Sequence, residues 1–432
     1  MDVTEATNAD AATALLGDLE SNGQTDHSES WRNPPSNIVK VLIVFCGFSL
    51  MGLNDSAIGA ILPSLEQDYK LNDLQASLTF LTPMSGSLVS ALMSSWIHSK
   101  IGRGGVSILG AFLQFICHFS ASLNPGYPLF LAAMTCGGLA NGLVNGSWNA
   151  WIGAFDNAHG ILGILHGFYA LGGIVGPAVI TFILERDSAW YTYYKFTAVC
   201  QFVLLLAITL FFRGDTAKEY NRKTRATSYG ETDNDKNHSH MDSFKTKIVW
   251  LLALLLCAYN GIELGLNGWL VTFMIRERHG DPKRMGLVSS SFWIGLTAGR
   301  VTLGFVTGRF KNQHRVVTYY FLSAIAFFLC FSAVSSVVLS AIFVAGVGYF
   351  IGPIFPSTMI LATSVLPKRL HVSGISAAVA LSGCGSAVFP LMVGAFAHTF
   401  GVGILLPIIG LYFVVMTCLW ALIVAGNKPP DR

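Results

Sequence analysis

Asp55 and Glu263 each stand inside a long apolar run, in Gly52-Leu-Asn-Asp-Ser-Ala57 and Gly261-Ile-Glu-Leu-Gly265. A charge at the centre of a bilayer costs at least about 2.5 to 3.5 kcal/mol on insertion scales, so an ionisable side chain there needs a partner or a task. Burial favours the protonated form of a carboxylate, and an approaching cation or polar ligand favours the ionised form, which is what linked binding of a proton and a solute requires. Asp55 and Glu263 are therefore the candidate proton-coupling groups; the alternative is a neutral acid that bonds a neighbouring helix. Arg300 stands well inside an apolar run, and it too calls for a counter-ion or water.

Carboxamides and indoles surround these charges in sequence. Asn54 adjoins Asp55, and Asn260 and Asn267 fall three before and four after Glu263, on one helix face. Asn141, Asn145 and Asn149 repeat at every fourth position beside Trp148. Amides that donate and accept, next to indole faces, suit a polyhydroxylated or carbonyl-bearing solute. The competing reading is interhelical glue, worth about 0.6 kcal/mol per contact. His166 and Tyr169, three apart, with Trp269 and Trp293, complete the candidate solute-binding set. Candidate gating residues are Gly176, Pro177 and Pro390, which let helices approach or bend, and the arginines Arg103, Arg300 and Arg309. No cofactor motif and no metal-ligand spacing accompany them, and all eight cysteines fall within apolar runs without a CxxC pair.

The elements that carry these residues are apolar windows of about the twenty residues that cross some 30 Å of hydrocarbon. They fall near 38–62, 74–97, 105–124, 127–154, 158–184, 190–212, 247–275, 286–307, 316–335, 337–362, 372–397 and 402–425. With 52% hydrophobic and only 12% charged residues, the chain reads as an all-α polytopic membrane protein of twelve spans. Residues 1–37 form a polar tail without the apolar core of a cleaved signal peptide, and 426–432 form a second tail. The stretch 213–246 has the composition of a solvated, disordered linker and divides the spans six and six, into halves 38–212 and 247–425. Asn54-Asp55 is answered by Glu263, Gly102-Arg103 by Gly308-Arg309 and Pro177 by Pro390, each after 206 to 213 residues. This suggests two parallel halves with a site between them at mid-membrane.

Lysines and arginines sort nineteen to the side of the tails and linker and seven to the other, which makes both termini cytosolic. A net charge of +3, spread over short loops, offers nucleic acid no footprint. No nucleophile elbow, P-loop or HExxH stands outside the bilayer, so the expected partners are a small solute, protons and lipid, around a monomer.

Six motifs in order give a family resemblance: Leu53-Asn-Asp55 with Leu62-Pro63, Ser147-Trp-Asn-Ala-Trp-Ile-Gly153, His166-Gly-Phe-Tyr-Ala-Leu-Gly-Gly-Ile-Val-Gly-Pro177, Gly268-Trp269, Ile351-Gly-Pro-Ile-Phe-Pro356 and Gly385-Ser-Ala-Val-Phe-Pro390. Together they resemble the major facilitator superfamily, and within it the fucose-permease-like sugar:proton symporters and their fungal relatives. The resemblance implies alternating access by two rocking six-helix bundles, with Asp55 matching the family's first-span acid at the proton or sugar site. Three departures stand out. Asn145 replaces a fourth-span glutamate. The loop signature GxxxDRxGR becomes Ser95-Trp-Ile-His-Ser-Lys-Ile-Gly-Arg103, without its Gly and Asp, which implies a weakened or rebuilt gate. The stretch Gly163 to Pro177 looks like the fifth-span pattern of drug and metabolite antiporters. The expectation is a secondary active transporter, proton-coupled, for a sugar-like or metabolite-sized solute, in the plasma membrane. An efflux antiporter and a non-transporting solute sensor are the alternatives.

Overall fold

A computed structural model describes residues 30–155, 158–228, 245–366 and 371–426. The remainder of both tails, of the central linker and of the loop holding Lys368 and Arg369 lies outside the described residues. Among the described residues there is helix and no strand, as expected where a backbone without water must bond within its own segment.

The first half contains α1 (Ser36–Tyr69), α2 (Asp73–Ser122), α3 (Tyr127–Gly153), α4 (Ala158–Glu185) and α5 (Tyr191–Phe211), followed by a short α6 (Ala217–Ser228). The second contains α7 (Lys247–Arg276), α8 (Gly286–Gly308), α9 (Gln313–Ala333), α10 (Val337–Ile351), α11 (Ile354–Val365), α12 (His371–Ser382), α13 (Gly385–Phe400) and α14 (Leu405–Gly426). Nine helical stretches among the described residues are long and apolar enough to cross a membrane, with α10 and α11 taken as one. The twelve-span reading adds α8, the broken rod α12 with α13, and a second crossing within the 50-residue α2. That last helix begins with a capping box between Asn72 and Gln75 and breaks at Gly102, whose φ of 70° is open to glycine and costly for other residues.

Alternate crossings place the start of α1, the break in α2 and both ends of the linker on one face, here called the linker face. Tyr69, Arg276 and Gly286 mark the far face. A Cβ on Gly172 of α4 would collide with the Ser49 carbonyl oxygen, and one on Gly52 with that of Tyr169. Bare glycine thus lets α1 and α4 touch backbone to backbone.

The apolar core shows how the halves meet. One cluster runs across them, from Leu53, Ala57 and Ile61 of α1 to Ile262, Leu266 and Trp269 of α7. A second, around Val44, Phe48, Trp148, Ile208 and Phe212, belongs to the linker-face part of the first half alone. The shared cluster extends through the second half to Val249, Leu252 and Leu366 near the linker face, so only the linker-face part of the first half has a core of its own.

Candidate functional site

Asp55 lies midway along α1, and the close α1–α4 contact puts Tyr169 beside it: the phenol donates to Asp55 Oδ2 at 2.9 Å. Its neighbour Asn54 accepts from Tyr193 through Oδ1 at 3.0 Å, while Asn54 Nδ2 is buried without an acceptor. No basic group pairs with Asp55 among the described residues. From the other half, Glu263 of α7 accepts from Arg300 Nη2 of α8 at 2.7 Å, and the same nitrogen donates to the Tyr259 hydroxyl at 2.9 Å. The counter-ion that Arg300 calls for in the sequence is therefore Glu263.

These groups converge on the junction of the halves. Tyr169 is within Coulomb reach of Asp55, Glu263 and Arg300 together. His166, one turn away on α4, reaches both members of the ion pair and rests its ring on Phe48 at 5.8 Å. His166 is nonetheless exposed, so a central polar space opens beside it. Asn145 is also exposed and accepts from Asn149 through Oδ1 at 2.5 Å. Asn260, half-buried, donates to Ser382 Oγ at 3.0 Å.

One turn nearer the far face, a hydrogen-bonded ceiling joins the halves. Asn267 Oδ1 accepts from Ser289 Oγ at 2.5 Å and Trp293 Nε1 at 2.9 Å, and its Nδ2 donates to the Ser56 carbonyl at 3.3 Å. The Trp293 ring meets Tyr169 edge-on at 6.1 Å. Beyond the ceiling, Arg276 pairs with Glu66 at 2.8 Å and Asp73 at 2.5 Å, Lys283 pairs with Asp187, and Arg284 pairs with Glu185 at 3.3 Å. Hydrogen bonding to Asp187 raises the pKa of Lys283. Every one of these links lies toward the far face, which is shut in this conformation.

Several residues expected around a solute are buried or bonded to neighbouring helices in this conformation. Asn267, Trp269 and Trp293 are fully buried, and the Trp269 indole donates to the Pro390 carbonyl at 3.0 Å. Trp148 is buried within the first half and donates to Ser107 Oγ at 2.9 Å. Asn141 is bonded to Gln114 of α2, away from the junction. An indole or carboxamide reads alike in sequence whether it lines a cavity or bonds a neighbouring helix.

The gating candidates divide. Gly176 packs on the Leu53 carbonyl, Pro177 is buried in α4, and Pro390 is buried in α13. Arg309 ends α8 exposed and without an ion pair among the described residues. Arg103 is clamped by a residue that composition alone assigns to a solvated linker. Asp215 accepts from Arg103 Nη2 at 2.8 Å and Nε at 3.0 Å, and from Lys40 Nζ at 2.7 Å. Its carbonyl takes the Gly104 amide at 2.9 Å. The start of that linker is thus a docked turn and helix, corrected from a disordered strip, and Asp215 supplies the carboxylate that the 95–103 signature lacks. Tyr259 is a further member of the site that the sequence did not single out, although it lies one turn from Glu263 on the same face.

The Major Facilitator Superfamily model matches residues 44–390. Bypass of stop codon protein 6 of Saccharomyces cerevisiae is 28% identical, over 95% of this chain and 88% of its own length. Two solved structures share the fold. A bacterial homolog of the human lysosomal transporter Spinster, inward-facing and unoccupied, has a TM-score of 0.72 at 12% identity, covering 92% of this chain and 99% of the other. A D-xylose–proton symporter has a TM-score of 0.68 at 15% identity, covering 89% and 97%. A family match over most of the length, on two helical halves that meet at a pair of membrane-embedded acids, gives one conclusion: the chain belongs to the Major Facilitator Superfamily.

Proposed function

We propose that this chain is a secondary active transporter that carries a small organic solute by alternating access, coupled to protons. The observation that carries the reading is the unequal pair of acids at the junction: Glu263 is matched by Arg300, whereas Asp55 has only the Tyr169 hydroxyl. A membrane-embedded carboxylate without a cation is a place for a proton to bind and leave. Arrangement of the links between halves supports the cycle. They close the far face and leave the central polar space to the linker face, and a rocking of the halves that breaks them exposes the same residues to the other side.

Asp55 is the coupling acid in this scheme, and His166, Tyr169, Asn145, Asn149 and Asn260 face the solute. The excess of basic residues on the linker face makes that face cytosolic in a plasma membrane. The likeness to a D-xylose–proton symporter agrees with a solute of sugar size.

Proteoliposomes with a trapped pH dye test this. Solute-driven proton movement is expected in the wild type and lost in Asp55→Asn, with counterflow of the solute retained. Proton movement with the solute gives symport, and movement against it gives the efflux antiporter. Binding with no exchange under any gradient would replace transport by the sensor reading.

A further inference from the structure

The unused side of Arg300 is the feature that the transport reading leaves unexplained. Both of its bonds use Nη2, one to Glu263 and one to Tyr259. Nε–H and the two Nη1–H groups have no protein acceptor among the described residues, and neither nitrogen is sealed from water. The arginine side chain keeps 27% of its surface open and Glu263 only 9%. A permanently charged fork of donors therefore stays partly open at the junction, beside a carboxylate that is almost covered. A neutral polyol has no need of such a group, since amides and hydroxyls already serve it. A guanidinium fork matches a carboxylate with two parallel bonds.

The geometry points to Arg300 as the anchor for a carboxylate on the transported solute, making the substrate an organic acid rather than a neutral sugar. This rests on the transport reading of the same site and names the class of solute within it. The donor count couples the anion to a proton. A carboxylate that takes Nη1 alone forms one bond edge, and the second edge is Nη2, which Glu263 and Tyr259 hold. Full engagement displaces Glu263 and leaves its carboxylate enclosed without a cation. It then takes a proton from water entering at the linker face, so that one O–H bond of hydronium is exchanged for one on Glu263. The solute anion thus brings a proton onto Glu263, in addition to the one that Asp55 carries in the transport cycle.

The other ionisable groups around Glu263 bring no second permanent cation. Tyr259 shares its helix, His166 and Tyr169 reach it from α4, and Asp55 of α1 lies beyond Tyr169; Tyr412 and Cys384 stand near Cys257 of the same helix. The α11 stretch Ile354–Val365 contributes no ionisable side chain.

Binding to the detergent-solubilised full chain tests the assignment without relying on transport. The probes are D-gluconate, quinate and lactate beside their neutral counterparts D-glucose, inositol and glycerol, read by calorimetry or thermal shift from pH 5.5 to 7.5. At least one carboxylate is expected to bind while its neutral counterpart does not. Its affinity should rise toward tenfold for each unit fall in pH, because the bound state holds one more proton. Glu263→Gln should bind the same acid at all these pH values, with that dependence gone, since Arg300 is already free. Arg300→Gln leaves Glu263 unpaired and risks misfolding, so the charge-neutral double variant Arg300→Gln/Glu263→Gln is run beside it and should lose the acid. Equal binding of acids and neutral counterparts, no binding by any of the three acids, or unaltered pH dependence in Glu263→Gln each overturns the proposal. Acid binding without exchange in proteoliposomes would instead remove the transport reading and leave Arg300 as an anion site.

Discussion

Asp55 and Glu263 carry the same functional group in different company, and the difference sets what each does. Tyr169 holds Asp55 by a single neutral donor while its ring packs on Trp293. Tyr169→Phe keeps the ring and removes the donor. Uptake is expected to lose its steepness with pH while exchange at constant pH survives, read by initial rates of labelled solute across a pH series. Unchanged steepness would mean that the phenol only packs. At this scale the sequence was most informative about charge. An aspartate, a glutamate and an arginine within apolar runs stand out against their surroundings, and all three are at the junction. It was least informative about amides and indoles. Asn267 and Trp293 bond each other in the ceiling, and nothing in their separation of 26 positions carries a sign of that pairing.

Helices and their connections decide how rigid each half is. The α1 and α2 segments at the linker face are held by Asp215, which receives Lys40 from one and Arg103 from the other, all three with little exposure. Asp215→Ala leaves two basic groups without their shared acceptor. Such a loss in a largely covered network costs about 3 kcal/mol or more when one partner is removed. A clear fall in melting temperature of the purified protein is expected, larger than for Arg222→Ala at the exposed Arg222–Glu219 pair. Equal effects of the two changes would show that Asp215 merely sits near its partners. This clamp was not legible beforehand, because composition reports that 213–246 is polar without saying which of its residues folds back. The close approach of α1 and α4 was partly legible, since glycines at 172 and 176 marked α4 as a packing helix, but the helix it meets is settled only in three dimensions.

The two halves as bodies are held at the far face by a ceiling and an outer ring of ion pairs. The exposed Lys283–Asp187 and Arg284–Glu185 pairs each contribute about 0 to 1 kcal/mol, so the buried Asn267 node and the more covered Arg276 pairs are the stronger constraints. Asn267→Ala strands the Trp293 indole and the Ser289 hydroxyl in a covered seam, at about 1 to 3 kcal/mol for each unsatisfied group. The variant should favour the conformation open at the far face. A Thr181→Cys reporter in a cysteine-free background, buried in that seam beside Gly286, should react faster with an impermeant maleimide applied from the far side. Unchanged labelling would place the closing force elsewhere. The all-helical membrane plan was legible from apolar run lengths, since a bilayer imposes its thickness on every crossing. Which face is shut was not, because both conformations of a rocking protein share one sequence.

Asp215 also makes the stretch between the halves chemically uneven. Residues 213–216 belong to the first bundle as firmly as α1 does, whereas the second begins only near Thr246. A chain severed between 212 and 215 would yield an amino-terminal fragment in which Lys40 and Arg103 lack the carboxylate that they share. One severed after Ser228 would keep that fragment complete, and co-expressed pieces could reassemble across a seam that is wholly non-covalent.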